Sequence, residues 1–153
     1  MKPIHILYAD DDPDDQELLR ESLEESEVDF LLKTVDDGAE LIKQLATINS
    51  PPPPHLILLD INMPRKNGIE CLVAIRKIAR LELIPIIMFT TSIGLTDIDQ
   101  SFKYGANRYL PKDFFISNSK VIIEKIFVGS LKNILLSVSR DRFVISETSL
   151  FIA

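Results

Sequence analysis

Cysteine is nearly missing from this chain. Cys71 is the only one in 153 residues, which excludes a disulfide framework and argues against zinc sites built on several cysteines. Long hydrophobic runs are missing too. No apolar stretch reaches the ~18 residues of a membrane helix. Met1 to Pro3 passes at once into a short apolar run and then into acid, unlike a signal peptide. A cytoplasmic chain with no membrane partner is expected. Basic residues are outnumbered by acidic ones, 17 to 23, and the net charge of −6 argues against nonspecific nucleic-acid binding.

The chain does hold enough apolar residues, 46%, for one sizeable core, and it is too short for two ordinary domains. It also holds acid in one place. Between Asp10 and Asp29 there are eleven acidic residues and one basic residue, Arg20. From Asp14 onwards that run reads as a solvated helix face. Asp10 and Asp11 are different, because they come directly off the apolar segment "IHILYA" (4–9).

Apolar runs alternate with helical patterns along the chain. Strands are expected at 4–9, 30–35, 55–60, 84–91 and 107–110. Asp12 and Pro13 suit a helix start, since Asp caps and Pro is preorganised for the first helical position. Further helices are expected after the turn at 36–37, over 67–81, over 97–105 with Gly105 as C-cap, and from Asn118 to Val138. "PPPP" (51–54) is a stiff connector. Strands that are apolar throughout, alternating with helices, argue for a parallel sheet covered on both faces.

In such a sheet the strand ends lie on one edge, where ligands bind. Asp10 and Asp11 follow the first strand, Asp60 the third, Thr90 and Thr91 end the fourth, and Lys112 follows the fifth. Three carboxylates brought together need a counter-charge. A hard divalent cation such as Mg²⁺ takes oxygen ligands, waters and a phosphate oxygen. Lys112 and the Thr90 hydroxyl remain to bind other oxygens, so the edge reads as a phosphoryl site with a carboxylate as nucleophile. His5 and His55 sit beside strand starts at the opposite edge and read as packing or surface residues. Met63 and Met88 read as anchors of core or loop.

Four segments carry a family likeness: "ILYADDD" (6–12), "LILLDINMPRKNG" (56–68), "IPIIMFTTS" (84–92) and "GANRYLPKDF" (105–114). In that order the chain resembles a CheY-like response-regulator receiver domain over about residues 4 to 116. The resemblance implies a flavodoxin-like, doubly wound five-stranded parallel sheet in the order 2-1-3-4-5. It implies that Asp60 is phosphorylated and that Asp11 binds Mg²⁺ directly, with Asp60 and the Asn62 backbone carbonyl. Asp10 would act through water, Thr90 and Lys112 would bind the phosphoryl group, and the Tyr109 ring would change exposure. Gly68 would allow the turn into the next helix. The donor would be a sensor histidine kinase or phosphotransfer protein. The protein would be no enzyme, and would act on a downstream protein target. Small polar residues at Asn62 and Ser92 would leave a path for the hydrolytic water.

Two departures stand out. The family's lysine is usually followed by proline through a cis bond, whereas Lys112 is preceded by Pro111 and followed by Asp113. A trans loop is therefore expected, with Lys112 aimed differently and a negative charge added nearby. The second departure is the apolar stretch 121–138, wider than one helical stripe. Residues 1–117 are read as the receiver core and 118–153 as last helix and extension. That extension is too short for a DNA-binding domain. It would form either a homodimer interface or a segment folded back on the helix. Two other readings fit the sequence less well. An aspartyl-phosphate phosphatase would want an aspartate where Asn62 stands, and a non-phosphorylated pseudo-receiver would not need the full set of Asp10, Asp11, Asp60, Thr90 and Lys112.

Overall fold

A computed structural model describes residues 3–47 and 53–124. Five strands and five helices alternate along it: β1 (Ile4–Ala9), α1 (Pro13–Glu24), β2 (Phe30–Val35), α2 (Gly38–Ala46), β3 (Leu56–Leu59), α3 (Gly68–Arg76), β4 (Ile86–Thr90), α4 (Leu95–Lys103), β5 (Arg108–Pro111) and α5 (Lys112–Ile123). The strands form one parallel sheet in the order β2-β1-β3-β4-β5. This is the doubly wound fold expected from the sequence.

Strand side chains alternate between the two faces of the sheet. Ile6 and Tyr8 of β1, Leu56 and Leu58 of β3, and Ile87 and Phe89 of β4 pack with Leu19 and Leu23 of α1 and with Phe115, Ile122 and Ile123 of α5. On the other face Leu7, Ala9, Ile57, Leu59 and Met88 meet α2, α3 and α4 through Leu41, Leu45, Leu72, Ile75 and Phe102. Met63 and Met88 both lie in this second core, as anchors. Helices on both sides explain why β3 and β4 are buried at every position and apolar at all but Thr90.

Caps set the helix starts. Asp12 accepts from the Asp14 amide with Pro13 in the first turn, as its sequence suggests. Asp37 and Asn67 accept from the Glu40 and Glu70 amides at the starts of α2 and α3.

α4 runs over Leu95–Lys103 rather than 97–105, and two further helices differ from the expected spans. α3 ends at Arg76 rather than continuing to Leu81, and a 3₁₀ turn covers Ala79–Leu81. The Arg76 guanidinium supplies a reason. It donates to the carbonyls of Leu81, Glu82 and Ile84 and of Gly105, and to Asn107, so the chain after α3 wraps round its own arginine. α5 begins at Lys112 rather than Asn118, with Pro111 in extended geometry before it. Asn118 is instead a kink inside the helix, at φ −136° and ψ 22°. Most of the expected last helix and extension, 118–153, on which the dimer interface or folded-back tail would rest, lies outside the described residues, which end at 124. Among those described, no helix is long and apolar enough to cross a membrane.

Candidate functional site

The strand order reverses between β1 and β3, and the chain that leaves each strand carries an acid. Main-chain bonds hold both in place: the Asp10 amide donates to Val35 O at 3.0 Å and the Asp60 amide to Ala9 O at 3.0 Å. The strand pattern thus continues one residue beyond each strand, and the two carboxylates sit side by side at the switch point. Asp10 is fully buried, Asp60 is 5% exposed and Thr90, at the end of β4, is buried beside them. Asp11 lies on the exposed side of the turn.

One oxygen each of Asp10, Asp11 and Asp60 falls within 4.8 Å of the others, the donor set a hard cation takes. Lys112 enters from the start of α5. Its Nζ stands 2.5 Å from Asp10 Oδ2, 2.6 Å from Asp15 Oδ2 and 3.3 Å from Asp60 Oδ2. The peptide bonds of this loop are trans, as expected, and Lys112 is nevertheless aimed into the acids. Asp113 is exposed on the first turn of α5.

Burial dominates the electrostatics. It raises the Asp60 carboxyl above the usual carboxylate range, against the opposing pull of Lys112 and the Thr90 hydroxyl. For Lys112 burial acts downward, but bonds to Asp10 and Asp15 and the charge of Asp60 outweigh it and keep the ammonium protonated. Three carboxylates therefore contact one ammonium, a fourth, Asp11, lies beside Asp10 and Asp60, and the site retains excess negative charge.

The sequence reading missed three contributors. Tyr8 donates its hydroxyl to Asp10 Oδ2, and burial together with that neighbouring charge lifts its ionisation far above the ordinary range. Tyr8 stands two positions before Asp10 in an extended segment, and that spacing on one sheet face was the signal available. Gln16 donates to the Asp10 carbonyl at 2.6 Å and to Asp36 Oδ1 at 2.9 Å, bracing the acidic turn. Asp15, grouped with a solvated helix face, is instead partly buried against Lys112.

On the β4 side, the Tyr109 ring is fully buried and its hydroxyl donates to the Ser92 carbonyl at 2.8 Å. The Ser92 hydroxyl donates to Asp97 Oδ2 at 2.5 Å, and the Ser92 amide approaches Thr90 Oγ1 at 3.4 Å. Asn62 is exposed. At the other end of the sheet the His5 amide donates to His55 Nδ1 at 2.9 Å, and their rings meet edge to face at 5.3 Å. The two histidines are packed together, away from the acids. Cys71 is buried, its thiol pushed up to about 11 by burial, and it acts as a small core residue.

A doubly wound sheet with clustered carboxylates, a buried threonine and an inward lysine at its carboxyl edge defines a phosphoryl-handling signalling module. The chain belongs to the response regulator receiver domain family, which matches residues 6–126. It is 35% identical over 113 residues to the response regulator Rcp1 of Synechocystis sp., covering 72% of this chain and 77% of that one. The crystal structure of the Mn²⁺-bound form of response regulator Rcp1 matches at TM-score 0.75 and 32% identity, over 84% of this chain and 96% of that one. The phosphorylated cyanobacterial phytochrome response regulator RcpA matches at TM-score 0.74 and 31% identity, over 83% and 96%. The resemblance read from the four sequence segments is correct, and the pseudo-receiver reading is not favoured. This is a receiver of two-component signalling.

Proposed function

We propose that Asp60 accepts a phosphoryl group from a phosphohistidine on a sensor kinase or phosphotransfer protein. The observation that carries this reading is the Asp60 carboxylate itself, nearly buried at the switch point, with Lys112 Nζ at 3.3 Å and Asp10 and Asp11 beside it. In the transfer, an Asp60 carboxylate oxygen forms a bond to phosphorus as the donor's P–N bond breaks. The electron pair of that bond returns to the imidazole nitrogen, leaving a neutral histidine and an acyl phosphate. A divalent cation, Mg²⁺ in this reading, supplies charge neutralisation and a ligand position for a phosphoryl oxygen.

Asp11, Asp60 and the Asn62 backbone carbonyl would hold that ion, with Asp10 acting through water. Asp10 suits the outer role, because Oδ1 already accepts the Asp12 amide at 2.9 Å and Oδ2 accepts from Tyr8 and Lys112. Thr90 and Lys112 bind the phosphoryl oxygens. Movement of Thr90 would pull on Ser92 and so on Tyr109, passing the change to the surface formed by α4, β5 and α5 and to a downstream protein. No reaction on a small-molecule substrate is assigned to the site, and a homodimer through the last helix would be one form of that output.

Phosphate incorporation from acetyl phosphate and Mg²⁺ tests the assignment. Wild type should be labelled and Asp60→Asn should not. Equal labelling of the two would remove Asp60 from the reaction.

A further inference from the structure

Lys112 divides its ammonium unevenly among three carboxylates. The two short contacts, 2.5 and 2.6 Å, go to Asp10 and Asp15, and the longer one, 3.3 Å, goes to Asp60. Asp15 stands apart from the converging trio of Asp10, Asp11 and Asp60. It comes from the first turn of α1, and its side chain keeps 26% exposure where Lys112 has 5%. We propose that Asp15 is a positioning residue of the phosphorylation site, a second anchor that holds the Lys112 ammonium while a divalent cation takes the other acids. The inference rests on the reading of Asp60 as phosphoryl acceptor.

A cation entering among Asp10, Asp11 and Asp60 competes with Lys112 for the same oxygens and repels its charge. Lysine is a compact point charge with three donors on a flexible stem. Without Asp15 those donors would turn wholly to Asp10 and Asp60, against the metal. With Asp15 the ammonium keeps a close counter-charge outside the trio. It stays within one contact of Asp60, where the phosphoryl oxygens arrive. The pair joins the starts of α1 and α5, helices that pack on the same face of the sheet, so its geometry is fixed by the fold rather than by the loop.

A bland account exists: a carboxylate in the first turn of a helix is favoured by the helix dipole. That account predicts an effect on stability and none that depends on Lys112. Calorimetric titration of Mg²⁺ alone into wild type, Asp15→Asn, Lys112→Met and the double variant separates the two. Asp15→Asn should weaken Mg²⁺ binding about tenfold, whereas the same change beside Lys112→Met should weaken it less than about threefold, because close partners couple. Asp15→Glu should return the affinity to within about twofold of wild type, since it restores the charge. With acetyl phosphate, Asp15→Asn should raise the Mg²⁺ concentration for half-maximal phosphorylation by the same factor.

Wild-type Mg²⁺ affinity in Asp15→Asn would overturn the proposal. So would an equal loss with and without Lys112. If Asp60→Asn is labelled like wild type, the acceptor reading fails separately, and the Mg²⁺ cycle still decides the role of Asp15.

Discussion

Gly68 is pressed against the main chain of Asp60, so closely that a methyl group on its Cα would overlap the Asp60 carbonyl oxygen. The Gly68 amide donates to Ile61 O at 2.8 Å, closing the loop after β3 onto the start of α3. Glycine is needed here for close approach. The positive φ in this loop falls at Arg65, at 65°. Gly68→Ala must therefore shift the backbone that carries the proposed acceptor. Overpacking of this kind costs about 1–3 kcal/mol, and a displacement of ~1 Å at a reacting group costs up to ~100-fold in rate. Urea unfolding and the rate of phosphate incorporation should both fall, and wild-type values for both would contradict the contact.

How much of this was legible follows from the kind of interaction involved. β1 and β2 were readable to the residue, because each is a short apolar run bounded by acid or turn residues. Asp10, Asp11, Asp60, Thr90 and Lys112 were readable as a group, because strand ends in a parallel sheet share an edge and chain distance does not matter. The end of α3 was not readable. Ile75, Ile78 and Leu81 keep helical spacing, and periodicity carries no trace of a guanidinium that draws the following carbonyls onto itself. The start of α5 was hidden by Pro111 and Lys112, which look like loop. Asp15 was hidden by its neighbours, since nothing in an acidic run marks the one carboxylate that the packing of α1 beside α5 sets against Lys112.

The Tyr109 hydroxyl donates a hydrogen bond to Ser92 O from a fully buried ring. Burial, opposed by that bond, raises its ionisation above the usual tyrosine range, so it is a neutral donor at physiological pH. Tyr109→Phe keeps the ring and should cost about 0.5–1.5 kcal/mol. Tyr109→Ala opens a cavity between β5 and the second core and should cost about 3–5 kcal/mol. Chemical denaturation measures both, and equal losses would mean that the ring contributes nothing beyond its hydroxyl.

Arg76 ties α3 to the start of β4 and to the turn before β5. Its Nε donates to Gly105 O at 2.9 Å, Nη1 to Ile84 O at 2.8 Å and Nη2 to Asn107 Oδ1 at 2.8 Å, and Asn107 Oδ1 also accepts the Ile86 amide. Charge-assisted bonds to several carbonyls make Arg76→Ala costly, about 2–4 kcal/mol. Arg76→Lys should recover less than half of that, because an ammonium cannot reproduce the fork. The arginine lies away from the acids, so both variants, once folded, should bind Mg²⁺ like wild type. A large loss of Mg²⁺ affinity would place Arg76 in the site.

The excess negative charge around Lys112 predicts that Mg²⁺ stabilises the folded chain. A ligand present at one hundred times its dissociation constant adds about 2.7 kcal/mol if it binds only the native state. Differential scanning calorimetry should show a higher Tm with Mg²⁺, reversed by a chelator and absent in Asp11→Ala. Acid should erase the difference from both sides. The folded carboxyl of Asp60 sits above its unfolded value, chiefly through burial, so this group favours the metal-free fold below the unfolded value, and that contribution is lost as pH rises through the folded one. The metal-bound form needs the same group ionised and loses its ligand as pH falls through that raised value. The gap in Tm should therefore shrink on acidification, beginning above the pH at which an ordinary carboxylate would protonate. A gap that stays constant down to pH 4, or that survives Asp11→Ala, would separate the acidic cluster from metal binding.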